Sequence, residues 1–239
     1  MVLAQAAERR DIGVFEWLFD PGSWTGANGI LASLADTLAL CSIVVAVAGV
    51  TMVPLAAFLA HTRRGEVAVS WAVTLSRAVP TFAVAGLLVP ISLRNGWGFE
   101  PWPIFIALLL LALPPIFLNT YTAIRQISPS VVEAARAMGY GERDVLFRVE
   151  LALGTSVIID GVRIAAITVV ATEPIRAFLG GDGLGRYVRD GLGQNNDGLL
   201  VAGAILVAGL AGLTALLFRM FGRVALPDGV RRLATTSTR

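Results

Sequence analysis

The stretch TLALCSIVVAVAGVTMVPLAAFLA, residues 37–60, contains no charged side chain. As a helix it reaches roughly 36 Å, enough to cross about 30 Å of hydrocarbon. Residues 101–124 and 198–218 are likewise uncharged and long enough to span. Two further runs are apolar but interrupted: 67–93 carries Arg77, and 154–179 carries Asp160, Arg163, Glu173 and Arg176. A lone charge facing lipid is costly, so such groups must face a bundle interior or a wet cavity. The fourth run therefore reads as the most enclosed. These patterns predict an all-α, polytopic membrane protein with about five transmembrane helices.

Composition agrees. The 239 residues are 56% hydrophobic and only 15% charged, with a mean hydropathy of +0.73, outside the range of soluble domains. The net charge of +2 comes from arginines, with no lysine, and they are scattered rather than gathered with aromatics on one face. That distribution argues against nucleic acid as a partner. The single cysteine, Cys41, lies within an apolar run, so neither an intrachain disulfide nor a cysteine-based metal site is expected. Residues 1–20 mix Glu8, Arg9, Arg10, Asp11, Glu16 and Asp20 without an apolar core, so no cleaved signal is expected there.

Orientation follows from the arginines of alternate loops. Arg63 and Arg64 follow the first span, Arg125, Arg136, Arg143 and Arg148 lie between the third and fourth, and Arg219, Arg223, Arg231 and Arg232 follow the fifth. These segments are expected in the cytoplasm, with the N-terminus outside and the C-terminus inside a bacterial plasma (inner) membrane. The organisation is then an N-terminal segment over 1–30, a membrane domain over 31–226 and a polar cytoplasmic tail over 227–239. On the outer side, Val14, Trp17 and Leu18 predict a short interfacial helix. Leu184, Val188 and Leu192, every four residues, predict an amphipathic one. The glycine-rich stretch 180–185 is read as a helix-ending turn, because it has no following lysine.

Residues 125–152 carry more pattern than an ordinary loop. Ser128 followed by Pro129 marks a helix start, with the Ser128 side chain placed to cap it. Gly139 can end that helix at positive φ. A second helix is predicted from about 142 to 151, with Val145, Leu146 and Val149 as its apolar stripe. The remaining surface mixes Glu133, Arg136, Glu142, Arg143 and Asp144, which suits a protein partner better than nucleic acid.

Glu133-Ala134-Ala135, three residues, Gly139, nine residues, then Val149-x-Leu151 keep the spacing of the EAA loop. On these residues the chain resembles the permease subunits of ATP-binding-cassette importers of type I. Ala152 stands where that family usually has proline. Pro114, Asn119-Thr120-Tyr121-Thr122, Ile124, the Met138-Gly139 pair, Val149-Glu150-Leu151, Gly161-Val162-Arg163, Gly183-Leu184-Gly185 and Asn195-Asn196 resemble the osmoprotectant branch, over about residues 30–220. Ala152 and Ser156 replace prolines, and Glu173, Pro174 and Arg176 stand where small apolar residues are usual in that branch.

The resemblance implies a helical hairpin that docks on a cytoplasmic ATPase, with Glu133, Ala134, Ala135, Arg136, Gly139, Arg143 and Asp144 as coupling residues. It also implies a second permease, identical or related, and an extracellular substrate-binding protein, with lipid around the assembly. The solute would be glycine betaine, choline, carnitine or proline, or alternatively another small solute such as an amino acid or an anion. No Walker-type Gly-Lys-Ser/Thr occurs, so ATP and Mg²⁺ are expected on the partner, and this chain is expected to have no cofactor, metal or catalytic residue of its own.

An importer needs polar groups within the membrane that exchange water for solute. Arg77, near Pro80, and the Glu173-Pro174 step are the candidates, with Glu173 facing an ammonium and Arg77 a carboxylate. The opposing reading pairs Glu173 with Arg176, and Asp160 with Arg163, to neutralise buried charge. Trp71, Trp97 and Trp102 read as interface anchors, and His61 as structural or solvated. An ion-gradient carrier would leave the hairpin unexplained. An intramembrane enzyme lacks the His-rich, paired-Asp or Ser-Lys signature it would need.

Overall fold

The computed structural model of the chain describes residues 13–78, 80–98 and 102–225. Among them every regular element is helical: α1 Val14–Phe19, α2 Pro21–Trp24, α3 Ile30–His61, α4 Glu66–Ala78, α5 Thr81–Arg94 and α6 Trp102–Arg125 come first. Then follow α7 Pro129–Ala137, α8 Glu142–Asp144, a π-helical turn Val145–Glu150, α9 Leu151–Thr172, α10 Ile175–Phe178, α11 Gly185–Gln194 and α12 Asp197–Ala225. Four helical stretches, Ile30–His61, Trp102–Arg125, Glu142–Phe178 and Asp197–Gly222, are long and apolar enough to cross a membrane. The interfacial and amphipathic helices expected near Val14 and Leu184 correspond to α1 and α11.

Two expectations are corrected. The continuous span over 67–93 is two helices, α4 and α5, of 13 and 14 residues. Pro80 lies between them, extended at φ −76°, ψ 100°, and it has no N–H with which to continue a helix. The fourth run does not stay helical to 179. Its helix α9 ends at Thr172 and the chain turns through Glu173 and Pro174 before α10. On the other side, α9 extends back through the π turn to Glu142, so the second hairpin helix and the span are one continuous rod. The tail over 227–239 lies outside the described residues.

The chain forms two compact units. One comprises residues up to Val44 with Pro80–Leu110 and Ile167–Leu213, and Ile30, Val44, Leu108, Val169, Leu184 and Ala202 are buried within it. Its helices approach closely at Gly203, where a Cβ would fall 2.9 Å from Tyr187 Cβ. The other comprises Val45–Val79, Leu111–Ala166 and Thr214–Arg239. Its core joins Ala56, Ala57 and Ala60 of α3 to Phe117, Tyr121 and Ile124 of α6, with Leu146 and Leu151 packed against them. Gly161 brings α9 onto α6, since a Cβ there would lie 2.6 Å from Asn119 Cβ and 3.0 Å from the Pro115 carbonyl.

Large apolar side chains face outwards. Leu213, Leu216, Leu217, Met220 and Phe221 along α12 are all exposed, an arrangement suited to lipid and unfavourable against water.

Candidate functional site

Helix α7 starts at Pro129, whose fixed φ fits the first helical position. The Ser128 side chain does not cap it as expected. Its hydroxyl is 2.7 Å from the Ser130 hydroxyl and makes no capping bond to the helix backbone. The other end behaves as expected. Gly139 takes φ +89°, its N–H donates to the Arg136 carbonyl at 2.9 Å, and Tyr140 N–H donates to the Ala135 carbonyl at 3.2 Å. These two bonds close the helix in a Schellman motif, where the left-handed residue is cheapest as glycine.

Within this hairpin Ala135 is buried, while Glu133, Ala134, Arg136 and Arg143 are exposed and Asp144 is half-buried. Val131, Met138, Tyr140 and Phe147 are also exposed, so charged and apolar side chains are both accessible along the hairpin. Arg136 donates Nε to Glu142 Oε1 at 2.8 Å and Nη2 to Oε2 at 3.0 Å, a two-pronged pair. That bond holds the Glu142 carboxyl below the usual carboxylate range and raises the Arg136 guanidinium further. Arg148 pairs with Asp144 one turn away at 3.1 Å.

His61, at the end of α3, is not simply solvated. Its Nδ1 is 2.7 Å from Glu150 Oε2 and its Nε2 is 3.0 Å from Glu142 Oε2. Sequence reading missed this convergence, because 89 residues separate His61 from Glu150 and neither stands out within its own segment.

The second polar cluster surrounds the break after α9. Glu173 is fully buried, and Thr37 and Arg176 nearly so. Thr37 donates its hydroxyl to Glu173 Oε2 at 3.1 Å and accepts the Leu184 N–H at 3.0 Å. Arg176 donates to Glu173 Oε1 at 3.2 Å and to Asp36 Oδ2 at 2.7 Å. Gly183, at φ +93°, closes over this group, leaving only 2.7 Å from its would-be Cβ to Thr37 Oγ1 and 2.8 Å to Glu173 Oε1. Both Glu173 oxygens are thus committed within the protein. Asp36 is a member of this cluster that sequence reading did not single out.

Asp160 and Arg163 pair at 3.3 Å and remain partly exposed. Arg77 lies on α4, and its side chain falls outside the described residues. Pro80 is exposed at the start of α5. Trp71 and Trp97 are exposed, whereas Trp102 donates to the Ser92 hydroxyl at 2.8 Å and meets Trp97 edge to face. Among the described residues no group of His, Cys, Asp or Glu is placed to hold a metal ion.

With this geometry in view, the comparisons with known proteins converge. Residues 52–231 match the family described as binding-protein-dependent transport system inner membrane component. The chain is 31% identical over 204 residues to the osmoprotectant import permease protein OsmW of Salmonella typhimurium, covering 85% of this chain and 95% of that one. It is 27% identical over 213 residues to the choline transport system permease protein OpuBB of Bacillus subtilis, covering 89% and 96%. Among solved structures it is similar in fold to the MetNI methionine ABC transporter in an inward-facing conformation. The TM-score is 0.69 at 20% identity, over 82% of this chain and 95% of that one. The polytopic helical fold, the EAA-spaced hairpin and these matches agree that the chain is a membrane permease component of an ATP-binding-cassette importer, and it belongs to the binding-protein-dependent transport system inner membrane component family.

Proposed function

We propose that this chain lines the import path for a compatible solute of the glycine betaine, choline, carnitine or proline type, and that the hairpin of α7 and α8 is where a separate ATPase drives it. The observation that carries the coupling half is the exposed surface of Glu133, Ala134 and Arg136 with Val131, Met138 and Phe147. Its mixture of apolar and paired charged groups has the character of a protein-docking face. Ala135 and Gly139 shape that face, and Arg143 and Asp144 continue it. The solute half is supported by the relatives named for osmoprotectant and choline transport.

In this reading ATP and Mg²⁺ are held by the ATPase, and this chain carries neither cofactor nor catalytic residue. A second permease, identical or related, completes the pore, and an extracellular binding protein delivers the solute. The arginine bias supports an inner-membrane orientation with hairpin and C-terminus cytoplasmic and the N-terminus outside.

Arg77, Pro80, Glu173 and Pro174 are proposed to bound the path. Support comes from the interruption of helices at both places, between α4 and α5 and between α9 and α10. Broken helices leave backbone groups free to meet a solute or water. For Glu173 the enclosed pairing with Thr37 and Arg176 favours a supporting role behind the path surface.

The test is ATP hydrolysis and solute uptake by the co-purified permease, ATPase and binding protein in liposomes. Uptake of at least one of betaine, choline, carnitine or proline, dependent on ATP, is the expected result. Uptake that survives ATP removal and stops with an uncoupler overturns the reading in favour of an ion-driven carrier.

A further inference from the structure

Helix α3 ends on His61, and this ring is the meeting point of three segments. Glu150, 5% exposed at the end of the π turn, holds Nδ1 at 2.7 Å. Glu142, at the surface, lies 3.0 Å from Nε2. Glu142 is in turn held by both prongs of Arg136. An unbroken polar chain therefore runs from α3 through His61 and Glu142 to α7, anchored from beneath by Glu150.

The convergence is specific. Glu142 and Glu150 are eight residues apart, about 12 Å of rise and about 80° of rotation along a regular helix. Their carboxylates nevertheless meet one imidazole, across a stretch where the helix widens into a π turn. Such turns are frequent at functional sites. Arg63, Arg125 and Arg136 line the small cavity beside His61 and Glu150.

We propose that His61 is a positioning residue for energy coupling: it clamps the hairpin to the end of α3, so that movement of α7 and α8 is passed to a membrane-spanning helix. Without the clamp, hairpin motion would pass along the continuous rod of α8 and α9 but not to the end of α3. The proposal rests on the reading of this hairpin as the ATPase-contacting segment. It adds the element that receives the motion and the side chain that transmits it.

The experiment uses the complete complex of permease, ATPase and binding protein in liposomes, and reads solute moved per ATP hydrolysed together with ATPase retention and melting temperature. His61→Ala and Glu150→Gln are expected to lower that ratio about fivefold or more, with the ATPase still bound and basal hydrolysis preserved. His61→Gln, which retains a donor, is expected to recover part of the loss. Thr62→Ala is the control, since among the described residues that hydroxyl donates to the Phe58 and Leu59 carbonyls of α3, and its ratio is expected to stay at wild type. Should His61→Ala fail to assemble, His61→Gln and Glu142→Gln carry the same comparison. A wild-type ratio in the His61 variants overturns the clamp, as does an equal fall of uptake and hydrolysis that tracks melting temperature. Failure of the wild-type hairpin to crosslink to the ATPase overturns the coupling reading itself, a separate outcome.

Discussion

Thr37 donates its hydroxyl to Glu173 across 136 residues of sequence, at 3.1 Å, and the same oxygen receives the Leu184 N–H at 3.0 Å. One hydroxyl thus ties α3 both to the break after α9 and to the start of α11. The carboxylate it serves is also paired with Arg176, whose other arm reaches Asp36. A buried ion pair adds little over an apolar substitute, but removing one partner leaves an uncompensated charge.

Glu173→Gln keeps the shape and the Thr37 contact while removing the charge that Arg176 pairs with. It is expected to destabilise the purified permease by about 1–3 kcal/mol, and Glu173→Ala by about 3–5 kcal/mol. Thermal unfolding in detergent measures this. Uptake by Glu173→Gln is expected to keep its KM. A KM raised tenfold at unchanged stability would assign the carboxylate to solute contact instead.

Gly183 lies over the same cluster at positive φ. An added methyl group both meets Thr37 and Glu173 and forces a conformation that L-residues avoid, so Gly183→Ala is expected to cost about 1–3 kcal/mol. Gly193, on α11, has open space where a Cβ would stand, and Gly193→Ala is expected to be neutral or to stabilise by about 0.5–1 kcal/mol. Opposite signs in melting temperature distinguish the two.

In the other unit, Gly161 sits where α9 meets α6. Gly161→Ala is expected to push Asn119 and the Pro115 carbonyl apart and cost about 1–3 kcal/mol. Gly49→Ala, with nothing within 4 Å of the new methyl, serves as the matched control.

The spans were legible because excluding charge from twenty residues leaves a signal that no nearby contact disguises. Residues 37–60, 102–124 and 198–218 all fall within long helices. The break at Pro80 was not legible in the same way, since 67–93 stays apolar across it and hydropathy does not register a missing N–H. Gly139 could be read because its role is local, a positive φ one turn after a helix. His61 and Asp36 could not, because their partners Glu150 and Arg176 lie 89 and 140 residues away. Even within one segment the Ser128 cap failed, as its hydroxyl found Ser130 rather than the helix backbone.

The native cysteine, Cys41, is buried, so an introduced thiol can be read against a quiet background. Arg143 and Asp182 are both exposed, and the proposed orientation has them on opposite sides of the membrane. Arg143→Cys is expected to resist a membrane-impermeant thiol reagent in intact cells and to react after permeabilisation, while Asp182→Cys reacts in both. In the assembled complex Arg143→Cys is also expected to crosslink to the ATPase, because the residue is exposed on the same hairpin as Glu133 and Arg136. Labelling at 143 from outside would invert the topology, and with it the side on which ATP hydrolysis could act on α7. Correct sidedness without a crosslink would keep the membrane orientation and move the ATPase contact elsewhere on the cytoplasmic surface. The two readouts therefore separate where the hairpin lies from what it touches.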